Sequence, residues 1–295
     1  MESAWLLGIC EDGYDGLKAG HIQWIDNGKY SDSKWFADPF ILEYDDEKIV
    51  LLVEEFDYKI HYGRLARLIV DRKKWKVIDC RIILDNATHV SFPMIIEERS
   101  KIYVCPENYR SGAFNLYEYD RETERLTFIK PIVREQLTDA TIWKYGDAYY
   151  VFSTCIPTPN GKVLTIWRAD SLMGNFIKEQ EITFREKIAR NAGKIFEHGD
   201  VFIRPTQECN YSYGHALTFQ RIDVDEKGQF CFSECNRIES IHSTYSRGIH
   251  TFNQHTNGMA VIDVKGWRYP FAGRVLNTLD NILIKIQVKS RYIPQ

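Results

Sequence analysis

DPFILEYDDEKIVLLVEE, residues 38–55, decides the fold. A short apolar run meets an acidic bend and returns as a second apolar run, which is the pattern of an antiparallel strand pair. The unit recurs four more times: FPMIIEERSKIYVCPEN from Phe92, ATIWKYGDAYYVFST from Ala140, AGKIFEHGDVFIRPTQE from Ala192 and HTFNQHTNGMAVID from His250. Start-to-start intervals are 54, 48, 52 and 58 residues, a spacing that marks a repeat architecture. The first four units continue into a third strand (RLARLIVD, FNLYEYD, VLTIWRAD, HALTFQRID) and a more variable fourth (WKVIDCRII, LTFIKPIV, FIKEQEITF, FCFSECNRI). Four antiparallel strands repeated radially make a propeller blade. The expectation is therefore an all-β, five-bladed β-propeller of four-stranded antiparallel blades around a central polar funnel. A linear solenoid would need polar capping repeats, and none is evident.

The fifth unit is incomplete in chain order, because its pattern dissolves after Asp263 into KGWRYPFAGRVLNTLD. Three terminal segments read as strands able to complete the last blade: WLLGIC and HIQWIDNGKY near the start, and NILIKIQVKS near the end. No Pro/Gly/Ser-rich linker divides the chain, so residues 1–295 read as one domain with core repeats over about 36–265. Helical periodicity is nearly absent; the best candidate is short, from Arg185 to Arg190.

Composition narrows the function classes. Hydrophobic residues make up 44% and aromatic residues 14% of the chain, which suits tightly packed β structure. A net charge of −3 and the lack of a basic stripe argue against nucleic acid as a partner; the stretch from Arg64 to Lys76 reads as a solvated strand edge. No run approaches the length of a membrane span, and the N-terminus lacks the basic and apolar regions of a signal peptide. Seven cysteines with no C-x-x-C read as free thiols in a reducing cytoplasm.

Propeller geometry makes scattered polar residues converge. First-strand starts and second-strand ends open on one face near the axis. The starts are Asp38, His89 with Ser91, Asp139, Arg190 with Asn191, and His250. The ends are Glu54 and Glu55, Glu107, Ser153 with Thr154, Arg204 with Gln207 and Glu208, and Asp263. Glu54 and Glu55 are adjacent on a strand, so only one can face the axis. Each residue has a plain structural alternative: Asp38 before Pro39 as a turn residue, Arg190 and Arg204 as partners of Glu208 or Asp139, His89 and His250 as satisfied core histidines. Their joint placement points to a site. Several carboxylates with arginines beside them suit glycosidic chemistry, which needs one protonated and one ionised carboxyl.

The blocks ADPF, HVSFP, CPEN, LTDATIW, ARNAGKIF, RPTQECNYSYG and GIHTFN, in this order, resemble the N-terminal region of glucosamine inositolphosphorylceramide transferases. The same region is similar to a domain found in bacteria alone or beside formyltransferase-like domains. The resemblance runs from about Phe36 to Asp263 and implies a five-bladed propeller related to glycoside hydrolase families 43 and 32. It implies Asp38 as base or nucleophile, Asp139 as the carboxylate that tunes the acid, and Glu208, followed by Cys209, as the acid, with Glu107 the alternative. It also implies a cation near His250; no cofactor is otherwise required. Two departures stand out. In family 32 the corresponding Glu belongs to an earlier blade, and the nearer family carries Q-D-C where this chain has Gln207-Glu208-Cys209. The transferase activity of the plant proteins is attributed to a separate C-terminal domain without counterpart in this sequence.

Two functions compete. The first is an enzyme of cytoplasmic glycoconjugate or surface-polysaccharide biosynthesis that cleaves or transfers a glycosyl group. His89, Glu107, Arg190, Arg204, Gln207, Tyr213 and His250 would hold the sugar, and two arginines would suit an anionic group or nucleotide sugar. The second is a non-catalytic glycan-binding module that positions substrate for a partner glycosyltransferase or formyltransferase.

Overall fold

The computed structural model describes residues 3–269. The chain enters through strands Ser3–Cys10 (β1) and Gln23–Trp24 (β2). Blade one is Lys34–Tyr44 (β3), Lys48–Asp57 (β4), Gly63–Asp71 (β5) and Lys76–Leu84 (β6). Blade two is Ser91–Glu98 (β7), Lys101–Glu107 (β8), Phe114–Asp120 (β9) and Arg125–Val133 (β10). Blade three is Leu137–Tyr145 (β11), Ala148–Cys155 (β12), Val163–Ala169 (β13) and Ile177–Thr183 (β14). Blade four is Phe196–His198 (β15), Val201–Glu208 (β16), Ala216–Val224 (β17) and Phe230–Glu239 (β18). Blade five opens with Gly248–Gln254 (β19) and Ala260–Trp267 (β20), then takes β1 as its third strand and β2 as its fourth. The molecule is a five-bladed β-propeller, and every strand pairing within its blades is antiparallel.

The N-terminus closes the ring. Strand β1 pairs with β20 from Ser3 opposite Trp267 to Cys10 opposite Ala260. That pairing carries β20 past Asp263, where the sequence repeat ends, to Trp267. The segment NILIKIQVKS lies outside the described residues.

Sequence pattern sets each strand's depth. Residues 49–55 of β4 (IVLLVEE) are buried on both faces, because neighbouring blades cover both. The outermost strand β18 (FCFSECNRIE) exposes most of its residues. Blades interlock through apolar side chains: Phe40 of β3 meets Phe92 of β7 edge-on at 5.1 Å, and Phe152 of β12 meets Phe230 of β18 at 5.5 Å.

The helix falls elsewhere than expected. Residues 185–190 form no helix. They run beside β16, where Cys209 N–H donates to Lys187 O and Gln207 N–H to Arg190 O, both at 2.9 Å. These backbone partners are worth more to the segment than a six-residue helix, which is too short to be stable alone. The α-helix among the described residues is Gly13–Ala19 (α1), between β1 and β2. Its sequence, GYDGLKA, carries little helical signal. It forms because Tyr14 and Leu17 are buried, with Tyr14 packed on Phe219 at 4.6 Å. HIQWIDNGKY is strand only at Gln23–Trp24; Asp26 Oδ1 accepts Gly28 N–H at 2.7 Å and turns the chain into a 3-10 segment, Gly28–Tyr30. No helix among the described residues is long and apolar enough to cross a membrane.

Candidate functional site: a ring of buried carboxylates

The inner strands bulge at one recurring place. Register slips between Ala37 and Phe40, Ser91 and Met94, Thr138 and Thr141, and Ile249 and Thr251. Asp38, Phe92 and Asp139 sit in these bulges with φ of 49°, 43° and 44°. In the first two, the next residue is a proline, which cannot donate to the ladder. A bulge re-aims its side chain, here towards the axis.

Three of these bulges leave an amide outside the ladder that a carboxylate of the preceding blade takes, while in the fourth the His250 and Thr251 amides turn to Asp263 of their own blade. Asp38 N–H donates to Asp263 Oδ2 at 2.9 Å, Phe92 N–H to Asp38 Oδ2 at 3.1 Å, and Asp139 N–H to Glu107 Oε2 at 2.7 Å. Blade four uses an amide side chain instead: Asn191 Nδ2 donates to Asp139 O and Phe152 O, both at 2.7 Å. The polar ring thus stitches blade to blade.

Two clusters form within it. In the first, Asp263 Oδ1 accepts Thr251 N–H at 3.0 Å and lies 2.6 Å from His250 Nδ1. Asp38 Oδ1 accepts the Thr251 hydroxyl at 2.9 Å and faces His250 Nε2 at 3.5 Å. Trp5 stacks on the His250 ring at 3.9 Å. Burial pushes the Asp38 carboxyl up to about 7, against the pull of His250. Burial disfavours the charged imidazole too, but Asp263 and Asp38 outweigh it and His250 is raised.

In the second cluster, Asp139 Oδ2 accepts Arg190 Nε at 2.6 Å and Gln207 Nε2 at 2.5 Å. Arg190 also reaches Glu107 Oε2 at 3.3 Å and Asn160 Oδ1 at 3.0 Å. Burial works to raise Asp139, yet Arg190 and the hydrogen bonds hold it below the usual carboxylate range. Burial and the neighbouring Asp139 charge push Glu107 well above that range. Tyr213 bridges the clusters: its ring is edge-on to His250 at 5.4 Å, and the Arg190 guanidinium lies 5.1 Å from its centre. Gly214 allows this approach, since a Cβ there would stand 2.7 Å from His250 Cβ.

The other expected residues fall as follows. Glu54 turns towards the axis, where burial and the surrounding carboxylates raise its carboxyl well above normal and its Oε1 completes no hydrogen bond among the described residues. Glu55 turns away to Lys34 at 2.5 Å and Arg64 at 2.9 Å. His89 lies beside Glu54, its Nε2 3.4 Å from Oε1, and its Nδ1 accepts Gly63 N–H at 3.0 Å. Gln207 joins the second cluster, so the next residue, Glu208, projects the other way and pairs with Arg237. Arg204 is engaged inside blade four by Asn191 Oδ1 at 2.8 Å, Gln220 Oε1 at 2.7 Å and Ala189 O. With no carboxylate beside it among the described residues, burial depresses its guanidinium to about 9. Groups expected to line an open funnel are buried: Asp38, Glu54, Glu107, Asp139, Arg190, His250 and Asp263 are each at most 8% exposed. Trp5 and Thr251 were missed. Trp5 reaches the site through ring closure, and although WLLGIC reads as a strand able to complete the last blade, nothing in it announces which side chain turns to His250.

Asp38, His250 and Asp263 each offer a ligand atom within 4.8 Å of the others. Asp263 nevertheless already accepts Asp38 N–H on Oδ2 and three N–H groups on Oδ1. Those bonds crowd Oδ1 with N–H donors, which fits this carboxylate better to holding backbone and imidazole than to holding an ion.

Residues 24–264 match the family model described as glucosamine inositolphosphorylceramide transferase 1, N-terminal. The chain belongs to this family. It is 26% identical over 208 residues to glucosamine inositolphosphorylceramide transferase 1 of Oryza sativa subsp. japonica, and 25% identical over 206 residues to that of Arabidopsis thaliana. Each alignment covers 67% of this chain and 27% of the relative, so the chain spans about a quarter of their length. Among solved structures it is similar to Bacteroides ovatus xyloglucan PUL GH43B (TM-score 0.54, 13% identity, 72% of this chain and 47% of that one). It is also similar to the exo-beta-1,3-galactanase of Phanerochaete chrysosporium (TM-score 0.51, 11% identity, 68% and 53%). At these identities the likeness is one of fold.

Proposed function

We propose that this family member is a carbohydrate-active propeller that cleaves or transfers a glycosyl group in glycoconjugate or surface-polysaccharide biosynthesis. One arrangement carries the reading: Arg190 lies between two buried carboxyls, 2.6 Å from Asp139 and 3.3 Å from Glu107, and holds Asp139 below the usual carboxylate range while burial and the Asp139 charge push Glu107 well above it, beside Asp38, pushed up to about 7. Groups whose environments drive their pKa values apart are the acid and base of such sites. Asp38 acts as base or nucleophile, Glu107 as the proton donor, and Asp139 as the fixed charge that keeps Glu107 protonated. Arg190, Gln207, Tyr213 and His250 hold these carboxyls in position. The relatives' names and the hydrolase-like fold support a sugar as the ligand. Arg190 and Arg204 lend little to an anionic substituent or nucleotide diphosphate, because both guanidiniums are engaged. A cytoplasmic setting belongs to this reading, and seven unpaired cysteines support it.

A second reading has an observation of its own. The site is buried, and three of its carboxylates cap backbone amides, which suits a module that binds a glycan for a partner glycosyltransferase or formyltransferase. Turnover of aryl glycosides and nucleotide sugars by wild type, Asp38→Asn, Glu107→Gln and Glu208→Gln separates the possibilities. The expected outcome is a loss of about 10²–10⁴-fold in the first two variants and near wild-type turnover in the third. Loss in Glu208→Gln alone would move the acid to Glu208. Glycan binding without turnover in wild type would favour the module.

A further inference from the structure

The inner strands have a second end, and it is built differently. Two to six residues beyond the bulges, roughly 7–20 Å along strands that rise ~3.3 Å per residue, four blades enclose a cavity of about 460 Å³. Its lining comes from β7, β11, β15 with the residues just before it, and the end of β19. It therefore lies on the axis, on the face opposite the carboxylate ring. Its size suits a small metabolite.

The cavity's chemistry is graded. Lys194, half-buried, lines its wall; its backbone N–H donates to Asn253 Oδ1 at 2.8 Å, which fixes the residue's position. Gly193 before it cannot be replaced, since a Cβ would come 1.9 Å from Phe252 O. Among the described residues no carboxylate lies within ion-pair distance of the Lys194 ammonium; Glu97 attracts it only at longer range. His255 accepts Asn257 N–H on Nδ1 at 3.3 Å, so its neutral tautomer presents Nε2–H. Gln254 Oε1 is taken by Tyr14 N–H at 2.9 Å, which leaves its amide N–H₂ free to donate. At the rim, exposed Glu97 and Glu197 are acceptors, and Trp143 adds apolar wall.

We propose that this axial cavity binds a phosphate group carried by a small polyhydroxylated molecule, a sugar phosphate being the simplest. The phosphate sits against Lys194, His255 and Gln254, and the rim carboxylates accept hydrogen bonds from hydroxyls. The site does not depend on the reading given to the carboxylate ring. Burial lowers the Lys194 ammonium to about 8, and a bound dianion would restore its proton. The charged groups facing it are Glu97 from β7, Lys144 from β11, Glu197 from β15 and His255 after β19; burial lowers His255, so it stays neutral near pH 8.

The test is isothermal titration of the full chain with glucose 6-phosphate, glucose and inorganic phosphate at pH 7 and 8. Glucose 6-phosphate should bind and glucose should not. At pH 8 binding should take up protons, read from buffers of differing ionisation enthalpy. Lys194→Met should weaken binding about tenfold or more, while Lys194→Arg, which keeps the charge, should retain it. Inorganic phosphate binding as tightly as the sugar phosphate would overturn the sugar-phosphate assignment in favour of a free-anion site. No binding by wild type, or equal binding by Lys194→Met, would overturn the proposal. Unfolding of Lys194→Met leaves the wild-type titration and its proton uptake as the deciding measurements.

Discussion

Asp38 and Asp139 occupy the same place in their blades. Both sit in an inner-strand bulge with φ near +45°, both are buried, and both give their amide to a carboxylate of the preceding blade. Their protonation nevertheless diverges. Asp38 faces an imidazole at 3.5 Å and rises to about 7. Asp139 meets a guanidinium at 2.6 Å and stays below the usual range. Repeat geometry delivers a carboxyl to the axis; the single cation opposite it decides whether that carboxyl is a fixed charge or a titrating group.

The strongest way to break the contrast is Arg190→Met. It leaves Asp139 and Glu107 buried without their cation, and removing one partner of a buried pair costs about 3–5 kcal/mol. Chemical denaturation should show that loss, together with a rise in the Asp139 pKa towards that of Asp38. A variant as stable as wild type would mean that Gln207 and the backbone suffice to hold the charge.

A smaller effect sharpens the Asp38 side. Its folded pKa of about 7 exceeds the unfolded 3.8, so the folded state binds this proton more tightly. The associated stability is full below pH ~4 and is lost as pH rises towards 7. Asp38→Asn removes that part of the decline. Relative to wild type it should gain on the order of a few kcal/mol between pH 4 and 8, measured as urea midpoints across pH. Parallel pH profiles would show that Asp38 is ionised throughout.

The smallest effect concerns the imidazole. Asp263→Asn removes the nearest charge attracting the His250 ring and should lower its pKa, followed by NMR titration of the ring. An unchanged value would assign the raised pKa to Asp38 alone.

The architecture was legible because a strand pair advertises itself locally: apolar runs, a bend, and apolar runs again. Alternation along a strand also made the Glu54 and Glu55 choice a binary one, and the axis selects Glu54. What sequence could not supply was the partner of each polar residue. Gln207 and Glu208 differ by one position, yet one joins Asp139 and the other Arg237. Arg204 looks like a ligand-binding arginine on paper, but three acceptors inside its own blade claim it. The helix at 13–19 depends on the surface Tyr14 and Leu17 bury, not on helix-forming residues, and a reading by propensity passes over it.

Closure of the ring by β1 has a consequence for the order of assembly. Strand β1 pairs with β20, about 250 residues further along the chain, and contacts of such separation form late. Until they form, His250 lacks its Trp5 cover and the Asp38 amide lacks Asp263. The first cluster is thus completed by the same event that turns an open arc of blades into a circle, whereas the second, held within blades two to four, can be made beforehand. A nascent chain would carry its fixed charge early and gain its titrating group only when the circle shuts.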